Sequence, residues 1–104
     1  MRNKPCEVRF LPLFEKDLTR VTNYIKYQIH NPIAAMNLVD AIEQAIIERA
    51  YAPDSFEPYP SKKERNTAYY RIQVKNFEIY YVFVDGIMEV RRLAYKRQNI
   101  KDIL

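Results

Sequence analysis

Between residues 69 and 95 the chain repeats in a period of two, and Lys75-Asn76 and Asp85-Gly86 interrupt it. Asp-Gly is among the strongest signals for a tight hairpin, and Lys-Asn is a weaker one. Two two-residue turns predict a three-stranded meander whose paired positions sum to a constant. Val74 then faces Phe77, Ile72 faces Ile79, and Tyr70 faces Tyr81; across the second turn Phe83 faces Met88 and Tyr81 faces Val90. These residues share one face, and a slip of one residue would turn them all into water, so the register is strongly specified. Arg92 falls on this face as well. Either it snorkels to an edge or a bulge turns it outward.

The same arithmetic populates the opposite face. Arg71, Tyr80 and Arg91 form one expected cross-strand row, and Gln73, Glu78 and Leu93 the next. The first row reads as a site for phosphate or an acidic peptide. It reads equally as a solvated surface with Tyr80 stacked between two guanidiniums, each contact adding about 0.5–1 kcal/mol when exposed. Glu78 is placed to neutralise the diagonal Arg91. Val82, Ile87 and Leu93 are expected to lie exposed on this open face and to invite a partner strand or helix.

Upstream the period is that of a helix. Phe14, Leu18, Val21, Ile25 and Ile29 make one apolar stripe behind Pro12, which suits a first helical turn. Glu15, Lys16, Asp17, Arg20, Asn23 and Lys26 are expected on the solvated side. Asn31-Pro32 then ends one helix and caps the next, whose stripe is Ala35, Val39, Ile42, Ile46 and Ala50. So short a break predicts an antiparallel helical hairpin. Residues 6–11 form a short β-like run with Val8 and Phe10 on one side. Residues 51–67, with Pro53, Pro58 and Pro60, read as a loop whose basic part is Lys62, Lys63 and Arg65. The expected fold class is α+β, one domain in the order β-α-α-β-β-β, with the helical hairpin packed on a small, mainly antiparallel sheet.

The length of 104 residues allows one core and not two. One cysteine excludes an intrachain disulfide and a zinc quartet of cysteines. No apolar run approaches a membrane span, and the first residues lack the apolar stretch of a signal peptide. These features predict a cytoplasmic protein with no membrane, metal or cofactor dependence. A net charge of +4 suits an acidic partner, whether nucleic acid or a protein segment.

The order of elements resembles the RelE/ParE toxins of bacterial type II toxin–antitoxin systems, and several segments sharpen the likeness. Asp17-Leu18, Tyr24-Ile25 and Asn31-Pro32-Ile33-Ala34-Ala35 resemble that family's first helix and helix junction. Tyr70-Arg71-Ile72 and the run from Asn76 to Val82 resemble its central hairpin, and Tyr95-Lys96-Arg97-Gln98-Asn99-Ile100 its basic C-terminal signature. The resemblance implies a toxin held inactive by a cognate antitoxin, with operator DNA contacted only through that antitoxin. It implies plasmid stabilization and growth inhibition as the context. It implies either DNA gyrase (ParE-like) or ribosome-bound messenger RNA (RelE-like) as the target.

A metal-independent ribonuclease of this type needs groups that activate the 2′-hydroxyl, stabilise the phosphorane and protonate the leaving oxygen. Carried over by motif, the basic positions fall on Arg71, Gln73 and Glu78, with Lys96 and Arg97 at the C-terminus. Gln73 carries no proton and Glu78 repels phosphate. The lone histidine, His30, lies at the helix junction, where a cation favours the helix C-terminus. The reading therefore favours a toxin acting by protein binding. The alternative is a rearranged nuclease with Arg71, Glu78, Arg91 and Arg97 as catalytic candidates. Tyr80, Tyr95, Lys96 and Arg97 are the candidates for target binding.

Overall fold

A computed structural model of the protein describes residues 3–60, 67–96 and 104. The strands are β1 (Glu7–Phe10), β2 (Tyr69–Val74), β3 (Phe77–Val84) and β4 (Ile87–Tyr95), and the helices are α1 (Pro12–Asn23) and α2 (Pro32–Arg49). The sheet order is β1-β4-β3-β2, with β1 parallel to β4 and the other neighbours antiparallel. The expected α+β hairpin-on-sheet architecture is the observed one. Lys75 and Asp85 both adopt positive φ, 53° each, as the tight two-residue turns require.

The helix signals act as their chemistry dictates. Pro12 opens α1, and the Asn31 side chain accepts the Ala34 amide at 3.0 Å to cap α2. Between the helices, Tyr24–Gln28 forms a π-helical turn, closed by His30 at φ 59°. Bonds there run i→i+5, so four-residue spacing no longer returns to one face. The α1 stripe accordingly ends at Ile25, and Ile29, expected in it, stands 53% exposed.

Phe14, Leu38, Ile42 and Ile46 from the helices meet Ile72, Ile79, Tyr81, Met88, Val90 and Leu93 from the sheet in one buried cluster. Burying each such side chain contributes about 1.5–3 kcal/mol. The Tyr81 hydroxyl inside it is satisfied, donating to the Pro53 carbonyl at 2.6 Å and accepting from Arg49 at 2.9 Å.

The register of β2 with β3 matches the arithmetic residue for residue. That of β3 with β4 does so only up to Tyr81. There a bulge intervenes: Tyr81 faces Val90 but Tyr80 faces Arg92, leaving Arg91 as the extra residue. An unpaired residue shifts every later side chain by one position. Leu93 therefore faces Ile79 and enters the core, and Ala94, not Leu93, lies beside Glu78.

Asp17 is a second correction. Expected in water, it is 1% exposed, because Arg92 reaches from the bulge to bind it. Its Oδ2 accepts Arg92 Nε at 2.8 Å and the Leu93 amide at 3.0 Å, while Oδ1 accepts Arg92 Nη2 at 3.0 Å. Thus α1 is fastened to the bulge by a carboxylate. No helix among the described residues is long and apolar enough to cross a membrane.

Candidate target-binding face

The face away from the helices is less open than expected. Tyr80 is 2% exposed, and Val82 and Ala94 are also buried. Ile87 is half-buried. Part of the cover is Tyr59. Its amide donates to the Tyr69 carbonyl at 2.7 Å, and its ring stands edge-on to Tyr80 at 5.3 Å. The proline-rich segment thus lays an aromatic residue across the edge of β2. Arg49 closes the same edge by donating to the Arg71 carbonyl at 3.3 Å while its guanidinium stacks 3.5 Å from the Phe56 ring.

Three candidates meet on this face. Glu78 Oε2 accepts the Tyr80 hydroxyl at 2.9 Å and lies 3.3 Å from Arg71 Nη1. The Arg71 guanidinium also lies 5.2 Å from the Tyr59 ring centre. Glu78 neutralises Arg71, in register one pair away, and not the expected Arg91. Burial first, and then the hydrogen bond to the Glu78 carboxylate, push the Tyr80 phenol far above the usual tyrosine range. Burial and the Glu78 carboxylate both favour the protonated form of Tyr80.

Arg91 shares the face with Arg71 but not its row. The bulge directs it to Tyr69 and Glu89, with Nη1 3.3 Å from the Tyr69 hydroxyl and Nη2 2.8 Å from Glu89. Desolvation lowers its pKa, but the hydrogen bonds to Glu89 and Tyr69 outweigh that and hold it a cation. Arg91 Nε is buried with no hydrogen-bond partner among the described residues. The row expected as Arg71–Tyr80–Arg91 is therefore Arg71–Tyr80–Arg92 in backbone register, and its third arginine turns to Asp17.

The remaining candidates lie elsewhere. Tyr95 pairs with Phe77, ring centres 5.6 Å apart, and lines a cavity toward α1. Lys96 is exposed just past β4, its amide bound to the Asn76 carbonyl at 2.8 Å. Arg97, with Lys62, Lys63 and Arg65, lies outside the described residues. Gln73 is exposed on β2 opposite Glu78. Sequence reasoning missed Tyr59, Tyr69 and Glu89; the pairing arithmetic already sets Tyr69 and Glu89 in one row with Val82, whereas Tyr59 lies in the proline-rich segment, where no period places it.

The comparisons agree with this architecture. A chromosomal ParDE toxin–antitoxin structure from P. aeruginosa aligns with TM-score 0.70 over 86% of this chain and 95% of that one, at 12% identity. The RelB–RelE antitoxin–toxin complex of Methanococcus jannaschii aligns with TM-score 0.50 over 92% and 98%, at 25% identity. No protein of curated function matches the chain in sequence. The family model for the ParE toxin of the type II toxin–antitoxin system parDE matches residues 8–100. The chain, nearly all of which that match covers, belongs to the ParE family of type II toxins.

Proposed function

We propose that this toxin inhibits growth by binding an essential protein, DNA gyrase, and that a cognate antitoxin neutralises it in the cytoplasm. The observation that carries this reading is the Glu78 cluster. On the face where a nuclease would gather cations for phosphate, the carboxylate of Glu78 holds both Arg71 and the Tyr80 hydroxyl. The cation is spent internally, the phenol keeps its proton, and Gln73 offers none. A surface of this kind, with aromatic rings and arginines around a satisfied carboxylate, suits protein contact.

A second reading rests on the likeness to the RelB–RelE complex, at 25% identity. In it Glu78 is the base of a rearranged ribonuclease, with Arg71, Arg91 and Arg97 supplying charge and Lys96 holding messenger on the ribosome. Expression of the chain alone separates the two. The expected result is arrested growth, inhibited supercoiling by purified gyrase, and intact messenger. Messenger cut on ribosomes with supercoiling unaffected would establish the nuclease instead. Undisturbed growth with folded protein present would leave a binding module and no toxin.

A further inference from the structure

The proline-rich segment covers the edge of β2 only in part, and its sequence says why. Val74 and Phe77 flank a two-residue turn and pair with each other, so Tyr69, Arg71 and Gln73 turn their backbone groups away from β3. Tyr59 reaches that edge and its amide donates to the Tyr69 carbonyl at 2.7 Å. It stands between Pro58 and Pro60, which have no N–H to donate, so the pairing ends after one bond. The backbone N–H and C=O of Gln73 have no backbone partner across this edge among the described residues. An uncovered length of strand edge is a template for an extended chain.

Beside this edge lies a cleft of about 470 Å³, bounded by Arg49, residues 56–60, Arg71 and Gln73. That size is in the range of specific ligand sites, about 300–1,000 Å³. Arg49 is held along one side. Its Nη1 donates to the Arg71 carbonyl at 3.3 Å and to the Tyr81 hydroxyl at 2.9 Å, and the Phe56 ring lies 3.5 Å from the guanidinium. Its Nε and Nη2 have no protein acceptor among the described residues, and both reach solvent. No carboxylate among those residues forms an ion pair with it, whereas Arg71 is engaged by Glu78. A guanidinium fixed on one side and open on the other is prepared for a single carboxylate. A nucleic-acid backbone would bring several phosphates to one free cation and meet Glu57, which also lines the cleft.

We infer that this cleft receives an extended acidic segment of the target protein. The backbone of the segment continues the sheet at Gln73, and one of its carboxylates accepts from Nε and Nη2 of Arg49. The inference rests on the proposed action by protein binding, and adds the surface and the chemistry of the segment bound.

The probe is the blocked peptide acetyl-Asp-Tyr-Asp-Tyr-Asp-amide, whose alternation sets every carboxylate on one side of an extended chain. Titrated onto the toxin, it is expected to bind about tenfold more tightly than its Asn counterpart and to slow amide exchange at Gln73. Arg49→Lys keeps the charge and loses the planar fork, and is expected to weaken binding about tenfold. Glu57→Gln removes a repelling charge and is expected to strengthen it about threefold, a gain that misfolding cannot imitate. Ile33→Gln, exposed about 24 Å back along α2, is expected to change nothing. Should Arg49→Lys lower the urea midpoint, Glu57→Gln carries the test. No binding by the wild type, equal affinity for the two peptides, unchanged exchange at Gln73, or wild-type affinity in both cleft variants would overturn the inference. A deoxythymidine hexamer that displaces the peptide with the greater affinity would assign the cleft to nucleic acid and overturn it. So would protection of Gln73 that rises with the concentration of toxin alone, which would assign the edge to a second copy. Purified gyrase separates the inference from the reading it rests on. Gyrase bound equally by wild type and Arg49→Lys would overturn the inference and leave that reading standing. Peptide binding as expected, with gyrase left unbound by the wild type, would overturn the gyrase reading and keep the cleft as a site for an acidic segment.

Discussion

Two carboxylates occupy opposite faces of the same sheet and behave differently. The Asp17 side chain is 2% exposed and its partner Arg92 18%. Glu78 is 9% exposed and its partner Arg71 38%. Asp17 accepts a two-pronged guanidinium and a backbone amide, and it joins elements 75 residues apart in sequence. Glu78 accepts one phenol from its own strand and one loosely placed guanidinium. Geometry and water decide between the two roles. A charge that is dehydrated must be fully paired, and one that is pairable yet half-wet gains little. The first pair is a fastening and the second is a surface that a partner can rearrange.

The largest test of that contrast is Asp17→Ala. It strands the Arg92 guanidinium and the Leu93 amide, and breaking a buried pair from one side costs about 3–5 kcal/mol. Urea denaturation is expected to show that loss together with weakened packing of α1. A loss within about 1 kcal/mol would erase the distinction between the faces.

Glu78→Gln is the matched experiment on the other face. The amide oxygen still accepts the Tyr80 hydroxyl, so only the charge is removed. With Arg71 more than a third exposed, stability is expected to change by about 1 kcal/mol or less. The same variant frees Arg71 and is expected to raise affinity for single-stranded RNA, measured by fluorescence anisotropy and reversed by salt. Unchanged RNA affinity would mean that Glu78 was not what kept this face from phosphate.

Sequence reading missed the first pair altogether, and of the second it placed both members on one face but gave Glu78 the wrong partner, Arg91. The meander was legible because alternation and turn chemistry both specify it, and every β2–β3 pair follows from arithmetic. The bulge was legible only as one of two readings of Arg92 on the apolar face, because no residue type around Tyr80 and Arg91 fixes where the unpaired position falls. One residue sufficed to move Leu93 inward and set Arg92 opposite Tyr80, from where its side chain turns to Asp17. Asp17 was in fact visible in part. It follows Phe14 by three and precedes Leu18 by one, so it sits inside the buried stripe of α1. Its charge argued for water, and only knowledge of Arg92's direction argues otherwise. Arg71, Glu78 and Tyr80 belong to the β2–β3 pairing, which the shift in β4 leaves untouched, and were placed correctly on one face. Tyr59 was lost because a proline-rich segment has no period from which to infer contact.

The smallest effect expected is on alkaline stability, and it turns the contrast into a titration. The folded Tyr80 phenol is held above its unfolded value of 10.0, by burial first and by Glu78 second. A folded pKa above the unfolded one means the native state binds the proton more tightly. The stability this contributes is full below pH 10 and declines as pH rises beyond it, where the unfolded chain ionises first. Tyr81, raised chiefly by burial, adds to the decline. Tyr80→Phe is expected to shallow the loss of stability above pH 10 without altering the Asp17 fastening. Glu78→Gln is expected to bring the Tyr80 titration downward, seen as earlier phenolate absorbance, because it removes the neighbouring negative charge and leaves the burial. If Tyr80 titrates identically in both backgrounds, burial alone governs it, and Glu78 faces solvent more than its contacts imply.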